Sequence, residues 1–246
     1  MEDRLIEKKK AAIYHGCFAN YYYPEVGEAA VKVLRKNGIE VAVPDQVCCA
    51  LPMVAKGNIK GAIKNMEFNT KVLAGLVSEG YAIIGPCSSC SLMIKRDYPK
   101  MLDTAVAKLV SDNFYHLTEY LVQLKNKGLL DTNFSTIEQT VFYLTPCHLR
   151  AQEIGSPSTD LLKLIPGTKV NYISNECCGM SGAYGYEKKN YKLSKEIAGK
   201  LQSEIAENPT DLLVTDCGGC KLQMEAVGNG GTAVHPIVML KEAYGL

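Results

Sequence analysis

All ten cysteines of the chain fall into two sets of five with one spacing, and this repeat restricts the fold more than any other feature. The first set is Cys17, the vicinal pair Cys48-Cys49 and the C-x-x-C of Cys87 and Cys90. The second is Cys147, the pair Cys177-Cys178 and the C-x-x-C of Cys217 and Cys220. Corresponding cysteines lie 130, 129, 129, 130 and 130 residues apart. The 246 residues are thereby divided into two cysteine-rich repeats, 1–130 and 131–246, each of which has to bring five sulfurs to one place. Convergence of that kind points to metal.

Composition narrows the class. With 47% apolar residues, either half can bury a core without disulfide staples. The charged start Met1-Glu2-Asp3-Arg4 has no apolar h-region, and no apolar run approaches the ~18 residues of a membrane span. The thiols are therefore expected to be reduced, in the cytoplasm or peripherally at the inner membrane face, and to serve as ligands or redox groups. Lys8-Lys9-Lys10 reads as a solvated basic arm. Lys and Arg number 27 against 26 Asp and Glu, a net charge of +1 with no basic stripe, which excludes a nucleic-acid footprint. A nucleotide-binding fingerprint is absent as well.

Apolar runs at 11–14, 39–43 and 81–84 predict strands, and helical periodicity covers 24–37 and 58–78. The second half repeats this order, with strands at 141–144, 169–173 and 212–214 and helices at 160–164 and 187–207. Tyr115-His116-Leu117 and Val234-His235-Pro236 also correspond, each before a terminal helix, so His116 and His235 are expected to cap or pack. Strand–helix alternation predicts an α/β fold of two pseudo-symmetric domains, each a small, mostly parallel sheet with helices. Every cysteine then lies just past the C-terminal end of a strand, the edge where open α/β sheets carry their ligands. A C-x-x-C at a helix N-terminus further favours thiolate.

Structural zinc and a cysteine-bound iron–sulfur cubane each take four ligands. A fifth cysteine is either a spare thiol or a contact to a larger iron–sulfur assembly. Zinc stays open, because C-x-x-C is also a zinc half-site, whereas a thioredoxin-like dithiol leaves three cysteines of its half unexplained. Vicinal disulfides do not suit a reducing compartment. His148, beside Cys147, and His15, two residues before Cys17, are candidate proton donors or hydrogen-bond partners of a cluster sulfur; the plainer role is a bond to a backbone carbonyl. Tyr21-Tyr22-Tyr23 suits either a partner contact or a core.

These residues resemble the cysteine-rich CCG-type domain found in tandem in one of the subunits of heterodisulfide reductase. The same domain occurs in the C-terminal part of one of the subunits of anaerobic glycerol-3-phosphate dehydrogenase. Lactate-utilisation and glycolate-oxidase iron–sulfur subunits share it. The motif reads here as Cys147, Cys177-Cys178-Gly179 and Cys217-x-x-Cys220. Thr145-Pro146-Cys147-His148-Leu149, Cys178-Gly179-Met180-Ser181-Gly182, Thr215-Asp216-Cys217, Cys48-Cys49-Ala50-Leu51-Pro52 and Tyr98-Pro99 are most similar to the glycerol-3-phosphate dehydrogenase version. The resemblance implies two iron–sulfur clusters, non-cubane four-iron clusters in the heterodisulfide reductase pattern, with all ten cysteines as ligands. It also implies that zinc can replace the cluster in one repeat. Ala50 stands where the motif has glycine; if that backbone requires a positive φ, alanine is strained there and the first site is the less secure. The ferredoxin-type cysteine runs that precede the domain in the glycerol-3-phosphate dehydrogenase are missing, so electrons would come from separate flavin- or ferredoxin-type subunits. The implied function is electron transfer or catalysis within a multi-subunit oxidoreductase, passing electrons to a disulfide or a quinone-linked acceptor. The competing reading is a zinc-stabilised adaptor that tethers a dehydrogenase and carries no electrons.

Overall fold

The computed structural model describes residues 9–228 and 230–246; Met1-Glu2-Asp3-Arg4 and Lys8 lie outside the described residues. The chain divides into two compact units between Asp131 and Thr132. In the first, β1 (Lys10–Ile13), β2 (Glu40–Ala42), β3 (Ala82–Gly85) and β4 (Phe114–His116) form one sheet in the order β2-β1-β3-β4. In the second, β5 (Gln139–Leu144), β6 (Thr168–Ser174), β7 (Leu212–Thr215) and β8 (Ala233–Val234) repeat that arrangement as β6-β5-β7-β8. All strand pairs are parallel. The expected fold is therefore present in both units.

The sequence explains these elements. All four residues of β3 are buried, as suits an inner strand of a parallel sheet covered on both faces. The helix Pro24–Lys36 starts with proline at its first turn and buries Val26, Ala29, Ala30, Val33 and Leu34, one stripe at helical spacing. In the helix Ile59–Ser78, the Asn58 side chain caps the first turn by accepting from the Gly61 N–H at 3.1 Å. Because β1 has β2 on one side and β3 on the other, the chain leaves β1 and β3 in opposite directions. That switch opens a crevice at the C-terminal edge of the sheet. The second unit has the same crevice between β5 and β7.

Three expectations need correction. The helix expected over 187–207 is broken into 3-10 turns Tyr184–Tyr186 and Lys188–Asn190 and helices Tyr191–Ile197 and Gly199–Glu207. The Ser194 carbonyl, which accepts from the Ala198 N–H, also accepts from Gln223 Nε2 at 3.2 Å, and Gly199 is a weak helix former. Lys10 is no free arm: it opens β1 and lies 3.6 Å from the Glu40 carboxylate. Finally, the helix expected to start at the first C-x-x-C is irregular and stops at Leu102, with a separate helix Ala105–Asp112 after it. A π-helical turn, Met93–Asp97, leads into Tyr98–Leu102, absorbing a register shift next to Pro99, which has no N–H to donate. The capping expectation holds: Glu119 accepts from the His116 N–H at 3.0 Å, and His235 Nδ1 accepts from the Ile237 N–H at 3.1 Å.

Candidate metal centres

In the first unit the loops after β1, β2 and β3 deliver Cys17, the pair Cys48-Cys49, and Cys87 with Cys90. Cys17 sits in the first turn of the helix Gly16–Tyr21. Cys87 is the extended N-cap of the helix Ser88–Leu92, so Cys90 comes up in its first turn. A Cβ on Gly16 would lie 3.0 Å from the Cys90 sulfur, so glycine is what lets that thiol approach the backbone of the first loop. Gln46 ties two of the loops together: its Oε1 accepts from the Gly16 N–H at 3.2 Å and its Nε2 donates to the Ile13 carbonyl at 3.1 Å. The loop of the vicinal pair is held by Asn69. Its Oδ1 accepts from the Val47 N–H at 3.0 Å, and its Nδ2 donates to the Val47 carbonyl at 3.1 Å and to the Tyr98 hydroxyl at 3.0 Å. Asn65 Nδ2 donates to the Cys48 carbonyl at 3.1 Å, and the Tyr14 hydroxyl to the Val47 carbonyl at 2.6 Å.

The second unit places its cysteines at the same three strand ends. Cys217 is the extended N-cap of the helix Gly218–Val227. The Cys178 and Cys220 sulfurs are 3.2 Å apart, and the Gly179 N–H donates to the Cys177 sulfur at 3.4 Å. Ser194 Oγ donates to the Gly179 carbonyl at 2.9 Å, and Gln223 Nε2 donates to the Ser194 carbonyl, so the helix Tyr191–Ile197 and the C-x-x-C helix both brace the turn. This set is the more open one. Cys147 and Cys177 are exposed, whereas their counterparts Cys17 and Cys48 are only half-exposed. Tyr184, Tyr186 and Tyr191 stand exposed beyond the turn.

The residue after each vicinal pair is left-handed: Ala50 has φ 74° and Gly179 has φ 79°. The same reversal therefore follows both pairs, and Ala50 carries it against its own preference. Such a turn aims neighbouring cysteines, which would otherwise diverge, toward one crevice.

Electrostatics shows how closely the sulfurs gather. Hydrogen bonds from the Cys17 and Cys49 thiols hold Cys48 down to about 3. The same bonds to Cys48 push both of those thiols up. Cys90 is raised by its bonds to Cys49 and Cys87. In the second set Cys220 holds Cys178 down and is itself raised. Cys147 is raised by local desolvation and then by Cys178, Cys217 and Cys177. Cys48 is thus lowered among raised Cys17, Cys49 and Cys90, and Cys178 beside raised Cys147 and Cys220, so that gathering further negative charge on these sulfurs favours a cation. Burial, followed by the charge of Cys49, raises Tyr98, and burial with Cys49 and Cys90 raises Tyr14, so both phenols remain hydroxyl donors. As they stand, the sulfurs form hydrogen-bonded chains; among the described residues no three His, Cys, Asp or Glu side chains are arranged to hold a metal ion. In donor type and number each set fits an iron–sulfur group: soft sulfur donors, five to a site, with Cys49, Cys87 and Cys90 of the first set and Cys178 and Cys220 of the second packed among apolar residues.

His148 lies half-exposed in the first turn of the helix Cys147–Arg150, next to its cysteine. His15 takes the plainer role, its Nδ1 donating to the Gly16 carbonyl at 2.9 Å. Tyr21 and Tyr22 are exposed rather than core, while the Tyr23 ring stacks on Phe18. Sequence reasoning passed over Gln46, Asn65 and Asn69, and over Tyr143, Ser158 and Ser194. For Asn69 a signal existed: it falls on the buried face of its helix beside Ala62, Met66 and Leu73.

Known proteins carry the same pattern. The cysteine-rich domain family matches residues 11–95 and again residues 141–225. One of the subunits of the anaerobic glycerol-3-phosphate dehydrogenase of Escherichia coli is 32% identical over 238 residues, covering 96% of this chain and 59% of that one. One of the subunits of the CoM/CoB fumarate reductase of Methanothermobacter marburgensis is 30% identical over 240 residues, 94% of this chain and 45% of its own. An uncharacterized iron–sulfur protein of Methanococcus maripaludis is 28% identical over 227 residues, with 87% and 41% covered. The chain thus spans about half the length of these relatives. Among solved structures, aspartate racemase of Picrophilus torridus overlaps at a TM-score of 0.42 and 12% identity, too distant to inform fold or function. Two matched stretches, each holding one five-cysteine set at the edge of one parallel sheet, make this chain a member of the cysteine-rich CCG domain family, with the domain present twice.

Proposed function

We propose that this chain is an iron–sulfur electron-transfer subunit of a multi-subunit oxidoreductase. Its ligands are Cys17, Cys48, Cys49, Cys87 and Cys90 at one centre and Cys147, Cys177, Cys178, Cys217 and Cys220 at the other. One observation carries this reading: in each unit five thiols gather at one sheet edge, one more than a four-coordinate zinc or cubane uses. The names of the relatives support it, since two are subunits of a dehydrogenase and a reductase and one is an iron–sulfur protein. When bound, an iron–sulfur group would supply one-electron transfer. The chain's own residues do the rest: Asn69, Asn65 and Gln46 fix the first loops, Ser194 and Gln223 fix the second turn, and His148 stands where a proton could be delivered beside Cys147. Electrons would enter from flavin- or ferredoxin-type subunits and leave to a disulfide or a quinone-linked acceptor. Among the described residues no helix is long and apolar enough to cross a membrane, which suits a cytoplasmic protein or one held peripherally at the inner face.

Anaerobically purified protein tests this directly. Iron with acid-labile sulfide and a broad absorbance near 400 nm are expected. Colourless protein with stoichiometric zinc at both sets would leave only the adaptor reading; zinc confined to the first set would keep the electron-transfer role at the second.

A further inference from the structure

Directly behind Cys217 lies a buried carboxylate with no counterpart at the matching position of the first unit. Asp216 is 0% exposed and follows the last residue of β7. One oxygen accepts from the Tyr143 hydroxyl at 2.5 Å, and the other accepts from Ser158 Oγ at 2.6 Å. His235 Nε2 stands 4.0 Å away. His235 Nδ1 is the acceptor of a backbone N–H, so Nε2 is the nitrogen that carries the proton. Strand register identifies the counterparts. Tyr143 pairs with Val214, two residues before Asp216, just as Ile13 pairs with Ile84, two residues before Pro86. The first unit therefore has proline and isoleucine where the second has a carboxylate and its phenol donor, and it braces its loops with the neutral Asn69, Tyr14 and Tyr98 instead.

We propose that Asp216 positions and tunes the metal centre of the second set: it pins the end of β7 from which Cys217 projects, and its charge lowers the reduction potential of that centre. The inference rests on the iron–sulfur reading above. Its positioning role follows from geometry, since the carboxylate joins β5, the helix Pro157–Leu162 and the residue before Cys217. Its tuning role follows from the two hydroxyl donors, which make both oxygens acceptors as in an ionised carboxylate. One-electron reduction adds negative charge to a cluster, and a neighbouring carboxylate sealed from solvent opposes that addition with little screening. Net charge near the cluster is one of the levers that set such potentials.

The test is EPR-monitored potentiometry of the iron-loaded full chain, with dithionite as reductant, for wild type, Asp216→Asn and Tyr143→Phe. In Asp216→Asn one midpoint should move positive by about 59 mV or more, a tenfold gain in the one-electron reduction equilibrium, while the other stays. Tyr143→Phe should move that same midpoint negative, because it removes a donor that partly neutralises the carboxylate. Opposite signs are what a merely structural role would not produce. An iron-replete Asp216→Asn protein with both midpoints unmoved overturns the proposal and leaves the iron–sulfur function standing. Should Asp216→Asn take up no iron, Tyr143→Phe decides: a negative shift supports the proposal, and none overturns it. A wild type without iron overturns both readings together.

Discussion

The left-handed residue after each vicinal pair gives a sharp test, because two similar backbones carry different side chains. Ala50 holds φ 74° and is fully buried; Gly179 holds φ 79°. An L-residue in this conformation costs about 1–2 kcal/mol relative to its preferred region. Ala50→Gly would recover that strain but give back about 0.5–1 kcal/mol through the freer unfolded chain and about 0.8 kcal/mol through the lost buried methyl. The net change should lie within about 1 kcal/mol of zero. Gly179→Ala is different in kind. A Cβ there would stand 2.1 Å from the Ser194 carbonyl oxygen, a backbone atom that cannot swing aside. Left-handed strain and overpacking of about 1–3 kcal/mol then add, less the gain from a stiffer unfolded chain, giving about 2–4 kcal/mol of destabilisation. For a unit of this size that is a fall in Tm of about 8–16 °C. Urea and thermal unfolding of the anaerobically purified chain with its metal in place, followed by circular dichroism, measures both variants. Gly179→Ala within 1 kcal/mol of wild type would refute the reasoning, because the turn could not then be seated against Ser194 as described.

Other outcomes follow from the same contacts. Asn69→Ala removes the acceptor of the Val47 N–H and a donor to Tyr98 in a fully buried position, and should cost about 2–4 kcal/mol; metal analysis should show the first set losing occupancy while the second keeps it. Asp211 accepts from Thr140 N and Oγ1 at 2.7 and 2.8 Å, and these bonds, the backbone one first, lower its pKa. A depressed carboxylate contributes stability that is present above its unfolded pKa of about 3.9 and is lost as pH falls through the folded value; Asp211→Asn should therefore lower stability at neutral pH, approach wild type in acid, and so flatten the acid limb of stability against pH. Chelation should make the cysteine loops protease-sensitive in metal-free protein, since clustered thiols lose the cation that offsets their charge; an unchanged digestion pattern counts against a resident metal.

Much of this was legible because cysteine spacing and apolar periodicity are local signals. β1, β3, β5 and β7 lie within a residue or two of the apolar runs that marked them, and their parallel order follows from strand–helix alternation. The condition placed on Ala50 was also a local one, and its φ of 74° meets it. The bracing residues were not legible, because their partners come from distant segments. The Tyr143 and Ser158 hydroxyls reach Asp216 from 73 and 58 residues away, and the Gln46 amide reaches Ile13 from 33. No window of periodicity links such positions. The break at Ala198 has the same origin: the helix pattern continues to Glu207, but Ser194 is committed to Gly179 and Gln223.

The two units support the same cysteine pattern with different chemistry, and that contrast leads to a last expectation. A buried carboxylate is tolerated only while its donors are in place, since an uncompensated buried charge costs several kcal/mol. Tyr143 is fully buried and its hydroxyl goes to Asp216, so Tyr143→Phe alone should cost about 1.5–3 kcal/mol, the range for a hydrogen bond to a charged group. Once Asp216→Asn has removed the charge, the same loss of a hydroxyl should cost only about 0.5–1.5 kcal/mol, as for a neutral bond. The double-mutant cycle should then show a coupling of about 1–2 kcal/mol in urea unfolding. Ser158→Ala in place of Tyr143→Phe should couple with the same sign, because its hydroxyl meets the other carboxylate oxygen. Additive costs in both cycles would mean that Asp216 is held as a neutral group, and the negative charge assigned to the second centre would have to be withdrawn.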